Sequence, residues 1–171
     1  MKNILFIVLA LFAGTTMADS LKADITAQGN ESYLHRSISA QQLASSIRDY
    51  EDVTAVNTLA YTECGKTVFL NSATEFASTL PAPVAGCYFK FIVKAAPVGA
   101  NYTVLTNGGD NIIEGSATVN GAAIAAVDED TITFTASAAV AGDWVELYSD
   151  GTSWFVAGQG VAATAIVFTA T

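Results

Sequence analysis

Residues 142–158, Gly-Asp-Trp-Val-Glu-Leu-Tyr-Ser-Asp-Gly-Thr-Ser-Trp-Phe-Val-Ala-Gly, constrain the fold more than any other stretch, because they specify both the faces and the turn of a β-hairpin. Val145 and Leu147 fall on one face of the first strand, and Trp144, Glu146 and Tyr148 on the other, as a repeat of two requires. Asp150-Gly151 supplies the turn, since glycine takes positive φ without steric penalty and the Asp side chain bonds its own backbone. The same period recurs upstream. Cys87, Phe89, Phe91 and Val93 alternate with Tyr88, Lys90, Ile92 and Lys94, so the first set should face a core and the lysines should face outward.

Thr67 to Asn71 reads as a further strand, Thr131-Ile132-Thr133-Phe134-Thr135 alternates cleanly, and Asn120-Gly121 joins residues 117–119 to 122–126 as a two-residue hairpin. Asn107-Gly108-Gly109-Asp110 marks another turn; Pro81 and Pro83, which cannot donate to a ladder, mark a connection or an edge. About ten such segments, spaced roughly 8–12 residues apart, predict an all-β chain with a single β-sandwich or jelly-roll domain. Val53 should begin that domain, which then runs over residues 53–171.

The N-terminal third differs. Met1-Lys2-Asn3 is a short basic start, Ile4 to Ala13 is almost unbroken apolar sequence, and Thr16-Met17-Ala18 ends in a small residue, so residues 1–18 read as a secretory signal peptide. The apolar run is short of the roughly 20 residues a bilayer span needs, and membrane contact is expected only if the segment is retained. Residues 19–52 read as an extended arm plus one short helix. The arm, residues 19–37, reads as polar and without period, yet contains Leu21, Ile25, Tyr33 and Leu34. Ser39 with Gln42 forms a capping box, Ile38 and Leu43 a hydrophobic staple, and Leu43, Ile47 and Tyr50 share a face, which predicts a helix from about Ser39 to Arg48.

Charge and composition limit the functions available. Only 13% of the 171 residues are charged, and Gly, Ala, Ser and Thr make up the difference, a surface suited to packing against copies of itself or a lattice. The net charge is −9, and every Lys and Arg lies at or before Lys94, whereas Asp110, Glu114, Asp128, Glu129, Asp130, Asp143, Glu146 and Asp150 follow it. Phosphate binding needs the opposite sign, so nucleic acid is not an expected partner; an acidic solvated face is. Asp128-Glu129-Asp130 is the best place for a cation, but it lacks the spaced ligands and glycine of an EF-hand loop.

Cys64 and Cys87 are the only cysteines, and an even count behind an export signal makes them a candidate disulfide; two buried small apolar side chains are the alternative. No catalytic constellation is visible. His35 is the only histidine and lies in the polar arm, and no Gly-x-Ser-x-Gly, His-Glu-x-x-His or phosphate-binding glycine loop occurs. Asp143 and Glu146 are carboxylates at a spacing a glycosidase could use, but the hairpin explains them. An enzyme, a cofactor and a metal are therefore not expected. Trp144, Tyr148 and Trp154, with Phe155 beside them, are the candidate platform for a ligand such as a sugar, against the alternative of plain cross-strand packing.

The closing hairpin, Gly-Asp-x-Val-x-Leu-x-Ser-Asp-Gly-x-x-Trp-x-Val, resembles that of β-rich bacteriophage virion proteins, the capsid decoration proteins and fibre heads. Glu63 to Asn71, Thr79-Leu80-Pro81-Ala82-Pro83 and Tyr88 to Val93 are similar too, so the likeness covers roughly residues 62–169. The resemblance implies a structural virion role at the particle surface, with copies of the chain and a major capsid protein as partners. Two other functions stay open: a secreted bacterial surface or filament subunit that polymerises through its arm onto a filament neighbour, and a carbohydrate-binding module.

Overall fold

The computed structural model describes residues 49–72, 74 and 76–170. The signal-like segment, the arm with Leu21, Ile25, Tyr33 and Leu34, His35 and the expected helix lie outside the described residues. What is described is all-β: twelve strands in two sheets.

The seven-stranded sheet contains β1 (Tyr50–Val53), β3 (Thr67–Leu70), β5 (Tyr88–Val93), β10 (Trp144–Ser149), β11 (Trp154–Gly160), β7 (Ile113–Val119) and β8 (Ala122–Glu129), in that spatial order. The five-stranded sheet is ordered β12 (Ile166–Thr169), β9 (Thr131–Phe134), β6 (Tyr102–Leu105), β4 (Phe76–Thr79) and β2 (Asn57–Thr58). The first six strands alternate between the sheets. Within each sheet they pair in parallel, β1 with β3 and β3 with β5, and β2 with β4 and β4 with β6. A parallel pair needs a crossover, and here each crossover is itself a strand of the other sheet. From β7 onward all but one new pairing is antiparallel, the exception being β11 with β7.

Alternation decides which side chains enter the core. Phe89, Phe91, Val145, Leu147 and Trp154 from the larger sheet and Tyr102, Val104, Ile132 and Phe134 from the smaller one are fully buried in one cluster. Their chain neighbours on the strands are half-buried, as Lys90 and Glu146 are, or exposed, as Tyr148 and Phe155 are.

The β region starts at Tyr50, ahead of the expected Val53. Tyr50, Glu51 and Asp52 have a helical neighbour in sequence pattern but a better partner in space: β1 registers Tyr50 on Thr67 and Asp52 on Phe69, and the carboxylates of Glu51 and Asp52 meet Lys66 and Lys94. Carboxylates that oppose a helix dipole thus become ion-pair partners in a strand.

The turns follow their residues. Asn120 and Gly121 have φ of 50° and 77°, the left-handed pair that a two-residue hairpin requires, and Val119 faces Ala122 across them. Asp143, by contrast, is 1% exposed: its Oδ2 accepts from Val140 N–H at 2.9 Å and its Oδ1 from Val161 N–H at 2.9 Å. It ties the entry of β10 to the connection after β11. Asp130 is also buried, at 2% exposure, and accepts a hydrogen bond from the Thr131 hydroxyl. The expected acidic solvated face therefore loses two of its members to the interior.

Candidate functional site

The outer face of the seven-stranded sheet is the most developed surface of the described body. Register builds it. Glu146 lies between Lys90 on β5 and Ala157 on β11, Trp144 between Ile92 and Gln159, and Tyr148 between Tyr88 and Phe155. The result is three cross-strand rows, a charged one through Glu146 flanked by one with Trp144 and one with Tyr88, Tyr148 and Phe155.

Each described lysine on this side is ion-paired. Lys90 Nζ is 2.6 Å from Glu146 Oε1 and sits 4.2 Å from the centre of the Trp144 ring. The Tyr148 hydroxyl donates to the second Glu146 oxygen at 2.9 Å, and the Tyr88 and Tyr148 rings stack 4.8 Å apart at 42°. Farther along, Lys94 contacts Asp52 at 2.5 Å, and Lys66 contacts Glu63 at 2.7 Å and Glu51 at 3.3 Å. The Lys66 ammonium, with the Ala60 N–H behind it, holds the Glu63 carboxyl below its ordinary value, and Glu63 in turn raises Lys66.

Trp144 and Tyr148 belong to this face, but Trp154 does not. The hairpin closes by pairing Ser149 with Trp154, which puts Trp154 on the inner side, 0% exposed and 6.0 Å ring to ring from Phe89. Phe155, 45% exposed, takes the outer position beside Tyr148. The loop length that fixes this parity was not read from Asp150-Gly151 alone. Asp150 Oδ1 accepts from the N–H groups of Thr152 and Ser153 and from the Thr152 hydroxyl, extending the turn through Ser153. These donors lower the Asp150 carboxyl, the Ser153 N–H foremost.

Asp143 and Glu146 do not form a catalytic pair: the first points inward to two backbone amides and the second outward to Lys90 and Tyr148. Asp128, Glu129 and Asp130 divide likewise, exposed, half-buried and buried in turn, and no group of three or more potential metal ligands converges among the described residues. Cys64 and Cys87 are disulfide-bonded, with 5.1 Å between their Cα atoms.

Two features escaped the sequence reading. The outer face of the five-stranded sheet presents Ala77, Thr79, Thr103, Leu105, Thr131 and Thr133, half-buried and without an ionisable group among them. The second is a groove of about 370 Å³ between β8 and β12, lined by Ala122, Ile124, Ala163, Ile166, Val167 and Phe168 among others. Alternation could have placed the first; the second depends on which strands end the sheets, a long-range property. No protein-family model, curated protein or solved structure matches the chain.

Proposed function

We propose that the chain is a structural subunit of a virion surface, of the capsid decoration or fibre type, whose two sheets form a β-sandwich body that packs against copies of itself and a capsid protein. One observation carries the reading: both outer sheet faces offer broad contact surfaces on which no described lysine is left unpaired. On the larger sheet Lys66, Lys90 and Lys94 are each matched by a carboxylate of the same body, leaving Tyr50, Trp144, Tyr148 and Phe155 as the contact material. On the smaller sheet the face is threonine and aliphatic. Aromatic rings enrich protein contacts because they bury large area with few rotatable bonds. The β-sandwich assignment is favoured over a jelly roll by the parallel pairings of β1 to β6, since a jelly roll is built from antiparallel Greek keys.

The disulfide favours a second reading, an exported surface or filament subunit, because such bonds persist in oxidising compartments. A carbohydrate-binding module is less well supported, as the Lys90 ammonium occupies one face of the Trp144 ring on which a sugar would stack. Antibody labelling of purified virions and of cell-surface fractions separates these readings. Label on virions is expected; label confined to the host surface would replace the first reading with the second, and a monomer retained on polysaccharide would support the third.

A further inference from the structure

The two ends of the sheets are closed differently. At the β1 and β2 end, Val53 and Leu59 are 4% and 2% exposed, so the core is sealed. At the β8 and β12 end Ile166 and Phe168 of β12 are 1% and 9% exposed, but the seal is incomplete on the β8 side. By register Ala122 and Ile124 sit opposite Val119 and Ala117, both buried, and so belong to the inner face of β8; yet Ala122 is exposed and Ile124 half-exposed. Ile166 and Phe168 are the matching inner residues of β12. The groove between them opens on the core's own apolar lining, and β8 and β12 are each the last strand of a sheet, with one side unpaired among the described residues.

We infer that this groove receives residues 21–27 of a neighbouring copy as an added β-strand; the inference rests on the subunit reading above and names its contact. Although residues 19–37 as a whole lack a period, Leu21-Lys22-Ala23-Asp24-Ile25-Thr26-Ala27 alternates strictly, with Leu21, Ala23, Ile25 and Ala27 on one face. Seven extended residues span about 23 Å, comparable with the eight-residue β8. The added strand supplies the missing ladder partner, and its apolar face covers Ala122 and Ile124; this is recognition by strand addition.

Charge fits the same placement. The edge beside the groove carries Glu114, Asp128 and Glu129, while the described lysines, Lys66, Lys90 and Lys94, all make ion pairs on the β1, β3, β5 and β10 side. Lys22, on the polar face of the arriving strand, brings a cation to that edge. Direction follows from topology. The arm joins the body at β1, one end of the seven-stranded sheet, and the groove lies at β8, the other end. Donor and acceptor surfaces on opposite ends make a head-to-tail contact that repeats from copy to copy.

The test uses the full chain with Ala23→Cys and Ile124→Cys introduced together. After mild oxidation, denaturing electrophoresis without reductant should show a ladder of cross-linked multimers, and light scattering on the same sample reports whether copies assemble at all. Assembly without cross-links overturns the docking site and leaves the subunit reading standing; a cross-link confined to single chains shows the arm on its own body and overturns the inference; a chain that stays monomeric overturns both. Because a cysteine pair can be misaligned, Ile124→Lys is the second variant. It should weaken assembly at least about tenfold, since an unpaired charge is buried in the contact, with circular dichroism showing that the body still folds. Undiminished assembly contradicts the proposal.

Discussion

Asp143 shows how one residue can be misplaced by its neighbours. Set between Gly142 and Trp144 in a polar turn, it reads as surface, yet it is buried and accepts two backbone N–H groups from separate connections. The sequence contains no local mark of this, because the Val161 donor is distant in the chain. Asp143→Ala leaves both amides without their acceptor and should lower unfolding free energy by about 3 kcal/mol, measured by urea denaturation. A loss under half that would mean that water replaces the carboxylate at little cost. Gly115 makes a backbone demand instead. Its φ is 129°, at the irregularity between β7 and β8, and a Cβ there would run into the Val156 carbonyl of the adjacent β11. Gly115→Ala should therefore destabilise the body by more than the roughly 1 kcal/mol typical of a point change, and a melting temperature equal to that of the parent would refute the close approach.

Strands were legible where alternation and turn chemistry agreed. The β7 to β8 hairpin and the inward set Cys87, Phe89, Phe91 and Val93 fall as the pattern predicts, for each is fixed by contiguous residues. β1 was not, because Tyr50 shares a helical spacing with Leu43 and Ile47, and only the parallel partner β3 marks it as a strand. Trp154 was assigned to the wrong face for a related reason: parity across a hairpin depends on loop length, and the Asp150 side chain sets that length by holding Thr152 and Ser153. The disulfide joins the turn before β3 to the start of β5 across a separation of 23 residues. Reducing it should cost about 3 kcal/mol in the chain-entropy account. Mass spectrometry of the native protein should show the loss of two hydrogens, and equal denaturation midpoints with and without reductant would show that the cross-link adds no stability.

At the scale of the whole molecule, the all-β class could be read from residues 53–171, while the sheet order could not, because the alternation of β1 to β6 between sheets rests on pairings far apart in sequence. The candidate surface was half legible, through Trp144, Tyr148 and Phe155, and became complete only when register set Lys90 and Tyr88 beside them. Ion pairs along this surface give stability a defined pH window. Glu63 titrates below its ordinary value of 4.5, so its contribution is present above that value and lost as pH falls through the lowered one; Lys66 titrates above 10.5, so its contribution is present below that value and lost as pH rises through the raised one. Glu63→Gln should flatten the acid limb of a stability-against-pH curve, and an unchanged limb would remove Glu63 from the account. The central claim is that a self-contained β body is recruited through its N-terminal arm. Its most direct measurement is the assembly of a chain lacking residues 19–37, by light scattering and by occupancy on purified particles. The account predicts a folded, disulfide-bonded body that remains soluble and fails to assemble; incorporation at normal occupancy would contradict it.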